Sequence, residues 1–128
     1  MSLFKNIFGN SAEEKSFSKV GWRQLTDLGE LNEIVDLSTE KPVLLFKHST
    51  RCSVSRMVLK QFESDFDLQD KITPYFLDLL NHRDISNEIA NRFHVEHQSP
   101  QMIVIKDGKA IYNASHENID VADLKDFL

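Results

Sequence analysis

The sequence predicts an α/β fold in which a central mixed sheet of four to five strands is flanked by helices. Short apolar runs alternate with stretches of helical spacing, an order that favours parallel strands joined by right-handed crossovers. Near the C-terminus, two further apolar runs flank Asp107-Gly108, which is a strong signal for an antiparallel hairpin. Together these observations predict strands of both directions in one sheet.

The chain is predicted to divide into an N-terminal extension, residues 1–20, and a single folded domain, residues 21–128. Four apolar residues of the extension have the spacing of a short amphipathic helix: Leu3, Phe4, Ile7 and Phe8. A frayed tail that docks weakly is the alternative. The domain opens with a short strand candidate, GWRQL, and a helical stretch, TDLGELNEIVDLS, that Thr26 or Asp27 can cap.

The middle of the domain contains the predicted central strand. VLLFKH follows Pro42 as a continuous apolar run, which is typical of a strand covered on both faces. The next helix begins at Cys52. Its predicted apolar face consists of Val54, Met57, Val58, Phe62 and Phe66.

The second half of the domain continues the alternation. TPYFLDLL is the next predicted strand and DISNEIANRFHV the next helix. QMIVIK and AIYNAS form the hairpin strands, and NIDVADLKDFL closes the chain as a helix started by Asn118 or Asp120.

The composition argues against several classes of function. The formal charge is −5, and no cluster of Lys and Arg suits the binding of nucleic acid phosphates. No apolar run approaches the roughly 20 residues that span a bilayer, and the start of the chain lacks the apolar core of a signal peptide. We therefore expect a cytoplasmic protein without a membrane span, as a monomer or weak dimer.

Cys52 is the only cysteine of the chain, so it cannot form an internal disulfide. It is either an inert packing residue or a reactive thiol. At the predicted start of a helix, unpaired backbone N–H groups and the helix dipole favour the thiolate, which is the species that attacks disulfides. Arg51 and Arg56 add positive charge nearby.

A cysteine just after a central strand and an X-Pro pair just before the hairpin resemble the thioredoxin superfamily. Cys52-Ser53-Val54-Ser55 is a C-x-x-S version of its C-x-x-C motif, and Ser99-Pro100 stands where that fold has a cis-proline. The resemblance implies a thioredoxin-like three-layer sandwich for residues 21–128. The sequence itself leaves the alternative of a trans proline that starts an edge strand.

The longer string FKHSTRCSVS resembles the monothiol bacilliredoxins (YtxJ-like, bacilliredoxin C type), and the similarity extends over nearly the whole chain from Trp22 onward. Phe62-Glu63 and the sequence SPQ also fit that family. Two positions depart from it: Arg51 stands where the family often has Thr, and Ser53 replaces the usual Pro.

The resemblance implies a thiol–disulfide oxidoreductase that removes bacillithiol, or a similar low-molecular-weight thiol, from S-thiolated client proteins. Cys52 is the expected nucleophile, and Ser55 stands where a dithiol enzyme has its second cysteine. The Ser55 hydroxyl is expected either to donate to the sulfur or to bond its own backbone. With Pro100 in cis, the backbone of Ser99 would pair with an incoming peptide.

His48, Thr50 and Arg51 lie in the same string as Cys52 and are the further expected substrate-binding residues. His48 is a candidate partner of the thiolate. Bacillithiol is the expected co-substrate, and no bound cofactor is implied. His94 and His97 have H-x-x-H spacing, but a structural zinc site needs four ligands, so we predict no metal site.

Two alternative functions remain open from the sequence. One is iron–sulfur cluster transfer in the manner of monothiol glutaredoxins, with two protomers each contributing one thiolate. The other is a thioredoxin-fold binding or redox-sensing module without turnover, in which Cys52 reacts slowly.

Overall fold

The computed structural model describes residues 20–128 and confirms the predicted order of strands and helices. Apart from Val20, the predicted extension lies outside the described residues. The strands are β1 (Arg23–Gln24), β2 (Val43–His48), β3 (Thr73–Asp78), β4 (Gln101–Lys106) and β5 (Lys109–Ser115). The helices are α1 (Glu30–Leu37), α2 (Ser53–Asp65), α3 (Arg83–Phe93) and α4 (Val121–Leu124), with 3₁₀ turns at His116–Asn118 and Lys125–Phe127.

The sheet is mixed, as predicted, with the strand order β1-β3-β2-β4-β5. Strands β1 and β2 run parallel to β3, while β4 is antiparallel to both β2 and β5. Strand β2 lies between β3 and β4, and all six of its residues are buried because helices cover both faces of the sheet. The pairing of Lys47 with Gln101 brings the carboxyl end of β2 and the amino end of β4 to the same edge of the sheet.

The core consists of one apolar layer on each face of the sheet. Leu44 and Phe46 of β2 face α2 and α4, whereas Val43 and Leu45 face α1 and α3. Successive side chains of a strand point to opposite faces, so the unbroken apolar run serves both layers. A cluster of aromatic rings fills the first layer: Trp22, Phe46, Phe62 and Phe76. The protein is therefore a three-layer sandwich.

Two details of the predicted helices are wrong. Met57 was predicted on the apolar face of α2, but its side chain is 63% exposed. The buried residues of α2 are Ser55, Val58 and Phe62. Neither Thr26 nor Asp27 caps α1: the N-cap is Gly29, and the Glu30 carboxylate accepts the backbone N–H groups of Thr26 and Asp27. For the closing helix, Asp120 is the cap, since its carboxylate accepts from the N–H of residue 122.

The tip of the β4–β5 hairpin is bonded to the end of α1. Asp107 and Gly108 have φ values of 51° and 77°, the left-handed pair that a tight hairpin turn requires. The Gly108 N–H donates to Ser38 Oγ at 2.8 Å, and the Asp107 N–H donates to the Ser38 carbonyl at 2.9 Å. The Ser38 hydroxyl in turn donates to the Val35 carbonyl at 2.6 Å. The hairpin and α1 therefore hold each other in place.

We expect Gly108→Ala to lower the free energy of unfolding by about 1–2 kcal/mol, because alanine is strained at positive φ. Its Cβ would also lie only 3.3 Å from Val35 Cγ1. Urea unfolding followed by circular dichroism measures the change. Gly29→Ala is the matched control, since Gly29 has helical φ (−60°) and nothing closer than 3.4 Å to an added Cβ. An equal loss in both variants would contradict the prediction.

Candidate active site

Cys52 is the N-cap residue of α2, in the loop that leaves the carboxyl end of β2. Its backbone is extended (φ −102°, ψ 122°), and its carbonyl accepts the first helical hydrogen bond, from the Arg56 N–H at 3.1 Å. The Cys52 N–H donates to the Ser49 carbonyl at 3.3 Å, which closes the loop. The thiol makes no capping bond and is half-buried. Cys52 is therefore not fully buried, and its side chain does not cap the helix.

Ser99 and Pro100 lie at the same edge of the sheet as the loop that carries Cys52. The Ser99–Pro100 peptide bond is cis, and Pro100 directly precedes β4. Lys47 pairs with Gln101 in the antiparallel register of β2 and β4, so the next residue, Pro100, lies beside the end of β2. Ser99 Oγ is buried and has no hydrogen-bond partner within residues 20–128. The topology thus brings together the two predicted halves of the site.

The Ser55 hydroxyl bonds to the end of β2 rather than to the sulfur. Ser55 is 0% exposed, its Oγ lies 2.8 Å from His48 Nδ1, and it accepts the Ser49 N–H at 3.1 Å. The predicted Ser55–sulfur bond is not among the hydrogen bonds of the described residues, nor is one from His48 to Cys52. The sequence missed this contact because residues 48 and 55 belong to different elements.

The protonation of His48 fits this arrangement. Burial lowers the pKa of His48 below its ordinary value; Asp78 opposes that shift, and Arg56 reinforces it. The imidazole is therefore neutral at neutral pH, and its Nδ1 can accept the Ser55 proton. Because Ser55 Oγ already accepts from the Ser49 N–H, both the proton and a lone pair of this hydroxyl have partners.

Thr50 and Arg51 are exposed beside Cys52 and form one wall of a cleft. Arg56 Nη1 donates to the Thr50 carbonyl at 3.0 Å and so holds the loop against α2. The opposite wall comes from the β3–α3 connection: Leu80, Asn81 and Arg83. No motif in the sequence predicted these three residues. The general tendency of ligands to bind beyond the carboxyl ends of parallel strands is the signal that could have found them.

Lys47 points to the other face of the sheet, where it is fully buried. Its Nζ lies 3.1 Å from His97 Nδ1 and 3.5 Å from the Ser86 carbonyl. Burial lowers the pKa of Lys47 from 10.5 to about 8. The pKa of His97 is also lowered, first by burial and then by the positive charges of Lys47 and Arg83. This cluster anchors the segment that leads into the Ser99–Pro100 bond.

Neither a metal centre nor a membrane helix is present in the described part of the chain. Within residues 20–128, no three His, Cys, Asp or Glu side chains come together in a way that would hold a metal ion. No helix over the same range is long and apolar enough to cross a membrane.

Comparison with known proteins supports the family predicted from the motif. The family model described as "Monothiol bacilliredoxin BrxC" matches residues 23–124. This match includes the Cys52 loop, the Ser99–Pro100 bond and every strand of the described sheet.

Solved structures confirm the thioredoxin-like fold. A protein assigned as an oxidoreductase with a thioredoxin fold is 28% identical, with a TM-score of 0.69 over 80% of this chain and 89% of its own. The thioredoxin of Malassezia sympodialis has 19% identity and a TM-score of 0.66 over 85% of this chain and 89% of its own. Fasciola hepatica thioredoxin has 16% identity and a TM-score of 0.62, covering 81% and 93%.

We expect Ser55→Ala to lower the free energy of unfolding by about 1–3 kcal/mol, because it leaves the buried His48 Nδ1 and the Ser49 N–H without a partner. Chemical denaturation measures the change. Ser53→Ala is the matched control: Ser53 is exposed in the same turn, and we expect a change within about 0.5 kcal/mol. A Ser55→Ala protein as stable as the control would show that the His48–Ser55 bond contributes nothing to folding.

We expect Lys47→Met to raise the free energy of unfolding at pH 7 and to do so less at alkaline pH. In the wild type, the lowered pKa means that the unfolded chain holds more protons between about pH 8 and 10.5. As the pH rises through this range, the free energy of unfolding of the wild type therefore increases relative to that of the variant, by roughly 3 kcal/mol at most. Urea titrations at several pH values test this. The exposed Lys60→Met is the control, and a Lys47→Met advantage that does not depend on pH would contradict the prediction.

Proposed function

This chain belongs to the monothiol bacilliredoxin family, and on that premise we propose that it removes bacillithiol from proteins that carry it as a mixed disulfide. The observation that carries the proposal is the position of Cys52. The only cysteine of the chain is half-buried at the N-cap of a helix, and Ser55 occupies the place of a second cysteine. Thiol redox chemistry follows from the family, and the identity of the thiol is our proposal.

The proposed reaction has two disulfide exchanges. In the first, the Cys52 thiolate attacks the bacillithiol sulfur; the client–bacillithiol bond breaks and the client leaves as a thiolate. In the second, a low-molecular-weight thiolate attacks the bacillithiol sulfur of the Cys52 adduct. Cys52 leaves as a thiolate, and a disulfide of the two small thiols forms. The second small thiol supplies the reducing electrons, so no bound cofactor is needed.

The residues around Cys52 support the first exchange. The first backbone N–H groups of α2 have no intrahelical partners, and the helix dipole favours negative charge there. The species that attacks in disulfide exchange is the thiolate. Arg56, bonded to the Thr50 carbonyl, keeps its guanidinium against the same loop. The client's main chain would pair with the backbone of Ser99, in the manner of a short added strand.

The fully buried Ser55 separates this mechanism from that of a dithiol enzyme. Its hydroxyl cannot form a disulfide, so the Cys52 adduct persists until an external thiol arrives. We therefore propose S-thiolated proteins and a low-molecular-weight thiol as the partners. The cytoplasm is the proposed compartment, since its thiols are kept reduced, and a monomer or weak dimer is sufficient for the reaction.

We expect the wild-type protein, mixed with a bacillithiolated client, to gain the mass of one bacillithiol while the client loses it. Intact mass spectrometry of both proteins measures the transfer. Because the chain has one cysteine, the adduct can only be on Cys52. Cys52→Ser should gain no mass, whereas Ser53→Ala, which keeps the thiol, should still form the adduct.

Two results would replace the proposal with an alternative function. A Cys52 that alkylates slowly and takes up no bacillithiol would favour a binding or redox-sensing module. A coloured, thiolate-ligated cluster after anaerobic reconstitution, without bacillithiol transfer, would favour an iron–sulfur carrier.

A further inference from the structure

Two arginines in the cleft beside Cys52 have no acidic partner. Arg51 directly precedes Cys52, and Arg83 is the first residue of α3 on the opposite wall. Both are exposed, and neither side chain forms a hydrogen bond or an ion pair with any residue in the range 20–128. By contrast, Arg56 is bonded to the Thr50 carbonyl. The cleft therefore holds two guanidinium groups with free donors.

The positive charge of this cleft is local, since the chain as a whole carries a formal charge of −5. The positive field of Arg83 extends to His97, whose pKa it helps to lower. Two carboxylates lie near: Asp78, which accepts the amide of Asn81 at 2.8 Å, and Asp84, which is exposed after Arg83. Neither pairs with a cleft arginine. A guanidinium without a carboxylate partner matches an incoming carboxylate in a bidentate way.

The other lining groups also suit a small anionic ligand. Half-buried Leu80 offers an apolar surface, and Thr50 offers a hydroxyl. The amino end of α3 borders the cleft, and its N-cap, His82, makes no side-chain bond, so the first N–H groups of the helix lack a capping partner. A helix amino end adds to the attraction for negative charge.

Resting on the proposed function, we propose that this cleft binds a carboxylate of the small thiol that Cys52 takes on. The protein then prefers mixed disulfides of carboxylate-bearing thiols, and Arg51 and Arg83 determine that preference. Thr50 and Arg51 directly precede Cys52, so the cleft they line is adjacent to the residue that would carry the thiol. The chemistry is the same balanced exchange: the Cys52–thiol S–S bond forms as the client–thiol S–S bond breaks, and the client leaves as a thiolate.

The test uses one client peptide joined in turn to three small thiols of different charge: mercaptopropionate, mercaptoethanol and cysteamine. The rate at which each thiol appears on Cys52 is measured by intact mass spectrometry at low salt. For the wild type, we expect the carboxylate thiol to transfer faster than the neutral thiol, and the cationic thiol to transfer most slowly. The preference should shrink at high salt, because salt screens exposed charges.

Arg51→Gln and Arg83→Gln should each lower the carboxylate-to-neutral rate ratio, by up to about fivefold for an exposed pair, and the double variant should bring it close to one. The ratio cancels any general change in the reactivity of Cys52. Lys109→Gln is the control, because it removes one positive charge away from the cleft. Lys109 lies in the β4–β5 hairpin, next to the end of β4 that is farther from Pro100, and its substitution should leave the ratio unchanged.

Three results would overturn the carboxylate site while leaving the exchange reaction standing. The first is equal transfer rates for the three thiols in the wild type. The second is a carboxylate-to-neutral rate ratio that does not change in the double variant. The third is a fall of this ratio in Lys109→Gln that is as large as in the arginine variants. The absence of any adduct on wild-type Cys52 would instead overturn the proposed function.

Discussion

The bond between Ser55 and His48 holds the end of the central strand, and the loop that carries Cys52, against α2. It joins the last residue of the central strand to the first turn of α2, while the Ser49 N–H donates into the same oxygen. Three backbone segments therefore meet at one buried hydroxyl, and Cys52 lies in the loop that they hold. A buried polar group of this kind is costly unless all its partners are satisfied. Burial keeps His48 neutral, which is the form able to accept the Ser55 proton.

The architecture could be predicted because hydrophobic patterning carries it. The continuous run VLLFKH indicated a buried central strand, and Asp107-Gly108 indicated the hairpin; the structure confirms both. Met57 shows the limit of such patterns. A helix tolerates an apolar residue beside its buried face, and the sequence pattern does not separate the two positions. The packing of α2 against the sheet decides the matter and leaves Met57 63% exposed.

The site was predictable only where its residues are adjacent in sequence. Cys52 and its neighbours form one string, and a known motif pointed to Ser99-Pro100. Ser55 bonds to a residue of the preceding strand, and Arg83 lines a cleft with Arg51 of an earlier loop; no local pattern encodes either arrangement. Lys47 and His48 illustrate the point: alternation along a strand separates them onto opposite faces. Alternation does not reveal that Lys47 contacts α3 and the segment before Pro100, or that His48 contacts α2.

The single thiol and the positively charged cleft make sense together. In the same reaction, a dithiol enzyme can release the small thiol from its first cysteine by closing an internal disulfide, so it needs no second small thiol for that step. Here the position of a second thiol is filled by a hydroxyl that is fully buried and already bonded to His48. In the proposed exchange, turnover depends on two small thiols meeting at Cys52, one carried on the sulfur and one attacking it. Guanidinium groups on both walls would hold the first with its sulfur at Cys52, where the second can reach it.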